Sequence, residues 1–352
     1  MYNNENGVNC VMESIHEIIG KNEYNFLNTN ENLKNKLMFL TFGGSHAYGT
    51  ANPSSDIDIR GCALNSRSDL IGMSNFEQEI DIDSDTTIYS FNKLIKLVCA
   101  CNPNTIEMLG CKPEHYVIYN SAAKELIDRR KMFLSLKAIE SFSGYAKQQL
   151  RRMQNSLAHD SLSQADNEKH IMAAIKSAMV SFEDRYKKFP EGSISLVLDK
   201  SQRDDMDMEI FVNVDLKHYP LRDYRSIWAD MNNIIKEYGK LNHRNNKKSE
   251  LSLSKHMMHL LRLYMMCIDI LEKEEIITYR ENERELLLTI RKGDYISNGV
   301  VDSAFYDLLN DYEKKLEYAK NNTSLPETPN LAEVNDFVMS VNKRVVLGEF
   351  GE

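Results

Sequence analysis

The chain has 352 residues, 42% of them hydrophobic, and a formal charge of −9. That length buries a full core and favours two domains over one, and no apolar run of about 18 residues or more offers a membrane span. The acid excess excludes broad nonspecific adhesion to nucleic acid, which needs clustered Lys and Arg; the start MYNNENGVNCVMES has neither the basic residues nor the apolar core of a signal segment, so a cytoplasmic protein is expected.

From Met1 to about Tyr119 the pattern is mixed. A helix is predicted near residues 9–20, then a polar loop NEYNFLNTNENLKN, then a strand over LMFLTF, which Gly-Gly bounds. DIDIRGCAL alternates polar and apolar with period two, and TTIYSF is rich in β-branched and aromatic residues, so both read as strands. FNKLIKLVCACNP reads as a helix stopped by Asn102-Pro103, with Cys99 and Cys101 as buried small residues. The six cysteines form no pattern with zinc spacing.

Beyond about Ser121 long helical periodicity takes over, with apolar residues recurring at three and four. Only residues 192–220 are less helical, and they read as a hairpin or a mobile loop. The expected organisation is an α+β head over 1–120 and a mostly α-helical body over 121–352. Basic clusters at 128–153 and 241–263 read as solvated helix faces.

The stretch GGSHAYGTANPSSDIDIRG, residues 43–61, carries the chemistry. Gly-Gly after a strand turns the backbone tightly and lets a ligand approach, and Ser45 is expected to cap the helix that follows, whose first amides would face a phosphate. Asp56 and Asp58, two apart on an extended chain, project from one face and bring two carboxylates to one divalent ion. The bland alternative is an exposed turn with capping as its only role.

These residues resemble the G-S plus D-x-D signature of the DNA polymerase β-like nucleotidyltransferase superfamily, most closely a branch of bacterial and phage proteins related to an RNA-repair-associated polymerase β-like protein. The resemblance extends through DTTIYSFNKLIKLVCACNPNTIEML (85–109), SFSGYAKQQL (141–150) and KHMMHLLRL (255–263), and is loose over 160–225. It implies a polymerase β-like head with a small mixed sheet, followed by a helical body that completes the cleft. It also implies that Gly43, Gly44 and Ser45 hold a nucleotide triphosphate, that Asp56 and Asp58 ligate Mg²⁺ or Mn²⁺, and that a third acid on a following strand completes the site. Glu79, Asp81, Asp83 and Asp85 share one parity there; Asp85, which begins DTTIYSFNKL, is preferred, with Asp83 as its rival.

Arg60 lies two beyond Asp58 and either balances the carboxylates or meets phosphate. Lys255, His259 and Arg262 form one polar stripe on an apolar helix, and Tyr145 belongs to a similar stripe on an earlier one; the functional reading of both is contact with nucleotide, the bland one solvent. Glu107 reads as capping or packing, and His46 as a loop histidine. The expected activity is transfer of a nucleoside monophosphate, AMP from ATP first, to a hydroxyl acceptor with release of pyrophosphate. An RNA or tRNA 3′ end ranks ahead of a protein or small molecule. The alternative is a nucleotide-binding regulator or toxin–antitoxin component.

Overall fold

A computed structural model describes residues 15–52, 55–161, 194–200, 208–215, 217–218, 220–221, 228–229, 232, 250–297 and 300–350. The helices expected over 9–14, over 167–189 and over nearly all of 224–241 lie outside those residues, as does the basic stretch 241–249. Two compact units divide the chain: one takes residues up to 149 with 258–291 and 303–350, the other 150–257 with 292–302.

The first unit opens with helices α1 (Ile15–Ile19) and α2 (Phe26–Thr29) and strand β1 (Leu37–Phe42). The segment expected as a polar loop is thus partly helical, because Tyr24, Leu27 and Leu33 each bury their side chains and draw the backbone into turns. Helix α3 (Gly44–Tyr48) follows, then β2 (Ile59–Ala63), α4 (Arg67–Ile71), β3 (Gln78–Asp81) and β4 (Thr86–Ser90). Helices α5 (Phe91–Cys99) and α6 (Pro103–Ile106) lead to β5 (Tyr116–Val117) and α7 (Ser121–Asp128).

The five strands form one mixed sheet in the order β3-β4-β2-β1-β5. β1 runs antiparallel to β2 and to β5, β2 runs parallel to β4, and β3 closes the edge antiparallel to β4. Strand β2 is shorter than the alternation of DIDIRGCAL predicts. Its first pair is Ile59 with Phe42, and beyond Gly43, which still donates to the Asp58 carbonyl, the β1 chain turns away into α3, so the strand does not extend over Asp56–Asp58. The α5 face Phe91, Leu94, Ile95 and Val98 is buried, at the three-four spacing of an amphipathic helix, and Ser90 caps that helix by accepting from Lys93 N.

Helix α8 (Lys137–Ser161) continues the chain, β6 (Ile194–Lys200) and β7 (Met208–Val214) pair as an antiparallel hairpin in the second unit, and α9 (Glu250–Lys273) follows. Helix α10 (Arg284–Lys292), the short β8 (Ile296–Ser297) and β9 (Val300–Val301) pair, α11 (Ser303–Asn322) and α12 (Leu331–Val346) complete the described elements, so a helical C-terminal body follows the sheet as expected. Helix α12 belongs to the first unit. Its Phe337 packs edge-on against Phe91 of α5 at 5.9 Å, and Arg344 forks onto the Glu125 carboxylate of α7 at 2.7 and 3.0 Å. Cys99, Cys101 and Cys267 are buried, unpaired thiols. No helix among the described residues is long and apolar enough to cross a membrane.

Candidate active site

The site lies where β1 passes into α3. Gly43 caps the helix from an extended conformation and no side chain serves as cap, so the expectation that Ser45 does so is corrected: Ser45 sits within the first turn, and its carbonyl accepts from Thr50 N at 2.9 Å. The reason is that the turn happens one residue early. Gly44 takes it up in the left-handed region, φ +50°, where a side chain is strained. A helix start leaves its first amides without helical partners, and here they belong to Gly44, Ser45 and His46, because Gly43 N is already engaged by the Asp58 carbonyl.

Asp58 is held against this turn. Its carbonyl accepts from Gly43 N at 2.8 Å, and its side chain stands directly over Gly44. Asp85 comes to the same place from the start of β4, with φ +44°; Ile59 N donates to its carbonyl at 3.2 Å, which ties the two strand starts together. Arg60 stands between the two acids: Nη1 lies 3.4 Å from Asp85 Oδ1 and Nη2 3.6 Å from Asp58 Oδ1. Burial, with the Asp85 carboxyl adding and Arg60 opposing, pushes the Asp58 carboxyl up to about 7.

The other acids of EIDIDSD are placed differently. Asp81 accepts from Ser84 N at 2.9 Å and from Ser84 Oγ at 2.6 Å, which commits it to the β3–β4 turn, and Asp83 is exposed. Asp56 is also exposed, with its charge acting on Arg291. Among the described residues no three His, Cys, Asp or Glu side chains form a complete metal cage. The oxygen donors nonetheless suit a hard cation such as Mg²⁺ or Mn²⁺: Asp58 and Asp85 are neighbouring carboxylates that a cation would relieve, and Asp56 lies two residues from Asp58 in the sequence.

Beneath α3 lies a second cluster. The Tyr48 hydroxyl donates to Glu107 Oε2, Arg262 Nη2 lies 4.0 Å from the same oxygen, and the Arg262 guanidinium stacks over the Tyr48 ring at 3.5 Å. All three are buried. Burial pushes the Glu107 carboxyl up, against the pull of Arg262 and of the Tyr48 hydroxyl. Arg262 therefore faces Glu107 and Tyr48, whereas its stripe neighbour His259 is half-buried; Lys255 is half-buried in the second unit. Tyr145 turns its hydroxyl to Asn102 and Asn104, accepting from their amides at 3.2 and 3.4 Å.

A strap of residues 276–291 supports this cluster. Thr278 donates from N to Gly110 O at 3.2 Å and from Oγ1 to Glu107 O at 2.6 Å, and Arg280 N donates to Tyr48 O at 3.3 Å. Tyr279 lies on Gly49, which ends α3 at φ +75° with no space for a Cβ. Arg284 Nε donates to Gly49 O at 2.8 Å, and Arg291 reaches Thr50 O and Ser55 Oγ. Nothing local in TYRENERELLLTIRKGD marks these arginines as partners of a loop two hundred residues earlier.

Residues 15–179 match the model of the RNA repair pathway DNA polymerase beta family. No curated protein and no solved structure matches the chain.

Proposed function

We propose, for a chain whose residues 15–179 belong to a polymerase β-like nucleotidyltransferase family, that the reaction is transfer of AMP from ATP to a hydroxyl at an RNA or tRNA 3′ end, with release of pyrophosphate. The observation that carries it is the convergence of Asp58 and Asp85 beside the Gly43-Gly44-Ser45 turn. A triphosphate needs donors with no side chain in the way, and a strand-to-helix turn of two glycines supplies them. An acid pair at that turn would hold a cation against both the attacking hydroxyl oxygen and the pyrophosphate oxygen that leaves the α-phosphorus.

Mg²⁺ or Mn²⁺ held by Asp56, Asp58 and Asp85 would supply the Lewis acid that lowers the charge of the phosphates and the pKa of the attacking hydroxyl. Asp85, exposed where Asp58 is not, is suited to take the proton of the acceptor hydroxyl. Arg60 would exchange its two carboxylates for phosphate oxygens as the nucleotide enters, a role that its planar fork suits. The family description supports RNA as the acceptor.

The test is incubation of the full chain with α-labelled ATP and Mn²⁺, alone, with bulk tRNA, and with a cell lysate. Label in tRNA, lost in the Asp56→Ala, Asp58→Ala double variant, supports the proposal. Label confined to protein moves the acceptor to a polypeptide, and ATP binding without any transfer reduces the chain to a nucleotide sensor.

A further inference from the structure

We infer that Arg291 is a positioning residue for the loop that delivers Asp56, and through that loop for the divalent-cation site. The inference rests on the metal reading of Asp56, Asp58 and Asp85 given above. Arg291 lies in the last turn of α10, outside the family match, and is 7% exposed. Its Nη1 donates to Thr50 O at the start of the loop between α3 and β2, and its Nη2 donates to Ser55 Oγ at 2.8 Å, one residue before Asp56.

The loop is closed on itself at the point Arg291 grips. Ser55 Oγ accepts from Asn52 N at 2.8 Å and donates to Asn52 Oδ1 at 2.9 Å, while Ser55 N donates to Asn52 O at 2.9 Å. One guanidinium thus holds the Thr50 carbonyl and the Ser55 hydroxyl, the latter one residue before Asp56. A planar fork holds two such separated acceptors in a fixed geometry, which the compact ammonium of a lysine does not reproduce. Arg284, seven residues earlier on the same helix face, holds the adjacent carbonyl of Gly49. Burial opposes the Arg291 charge, and the carboxylate of Asp56 is the group that favours it. Helix α10 therefore bears on where Asp56 leaves the backbone, although it contributes no ligand.

The experiment measures Mn²⁺ affinity of the full chain by the electron paramagnetic resonance of the free ion, with no nucleotide and no turnover, together with the thermal midpoint. Arg291→Met is expected to weaken Mn²⁺ binding about tenfold or more, the scale on which metal sites lose affinity when a residue orienting a ligand is removed. Arg291→Lys should fall between it and the parent. An Arg291→Met protein that melts earlier but binds Mn²⁺ as the parent does overturns the inference, because Arg291 is then only packing. If that variant does not fold, Ser55→Ala removes the acceptor at the Asp56 end, and an unchanged Mn²⁺ affinity there overturns it equally. A parent protein that binds ATP but no Mn²⁺ defeats the metal reading itself, and is told apart because it shows before any substitution is made.

Discussion

The carboxylate of Asp58 occupies the space that a side chain on Gly44 would need: a Cβ there would collide with Asp58 Oδ2. The glycine is thus required twice, once for the left-handed turn and once for the acid that leans over it. Gly44→Ala should cost about 1–2 kcal/mol for the backbone alone and should also push Asp58 away from Asp85. The expected result is a lower urea midpoint with AMP transfer reduced at least about a hundredfold. A variant that keeps full transfer would show that Asp58 need not stand over the turn.

The raised carboxyl of Asp58 makes a statement about stability. Its folded value of about 7 lies above the unfolded value of about 3.9, so the native state keeps a proton that the unfolded state has released. Stability contributed by this group is full below about pH 4 and declines as pH rises to about 7. Asp58→Asn should therefore raise the stability of the metal-free protein at pH 8, by something on the order of 1–3 kcal/mol, and leave it unchanged at pH 4. Equal gains at both pH values, read from urea titrations, would refute the shift.

Three acids of EIDIDSD separate cleanly by substitution. Asp85→Asn should abolish transfer with little effect on folding, because its carboxylate faces Arg60 and solvent. Asp81→Asn should cost about 1 kcal/mol for the bonds to Ser84 and keep the activity of the folded protein. Asp83→Asn should do neither. Transfer that survives Asp85→Asn but not Asp83→Asn reverses the choice of third acid.

Arg262 tests a different distinction. In the buried cluster it balances Glu107, so Arg262→Met leaves a carboxylate in the core with only the Tyr48 hydroxyl, at a cost of about 3–5 kcal/mol. Arg262→Met combined with Glu107→Gln should recover most of that loss. A rise in KM for ATP at unaltered stability would instead make Arg262 a direct phosphate contact.

The sheet was legible where a short apolar run ends at Gly-Gly, as in LMFLTF, whose strand is buried on both faces, and where β-branched and aromatic residues gather, as in TTIYSF. The strand expected over the D-x-D acids was overextended: β2 starts at Ile59, because its length is set by where β1 ends, which no residue of DIDIRGCAL encodes. Ser45 was expected as a cap because serine favours that position, and the left-handed turn at Gly44 moved the helix start past it. Asp85 was one of four acids of equal parity, and only the parallel pairing of β4 with β2 separates it from Asp81. Tyr48, Glu107 and Arg262 meet from three distant stretches, and the arginines of the strap carry no periodic signal. Contacts of that kind depend on tertiary closure and leave no mark on their own neighbourhood.

The strap has a consequence for how the molecule is made. Gly49 and Thr50 receive their arginine partners from residues 235 and 241 positions further along. During synthesis the five strands of the mixed sheet are all released long before Arg284 and Arg291 emerge, so the loop between α3 and β2 lacks these two partners until helix α10 arrives. A nascent or C-terminally clipped polypeptide lacks both arginine contacts, so on the reading proposed above Asp56 is set in place only in chains translated through Arg291.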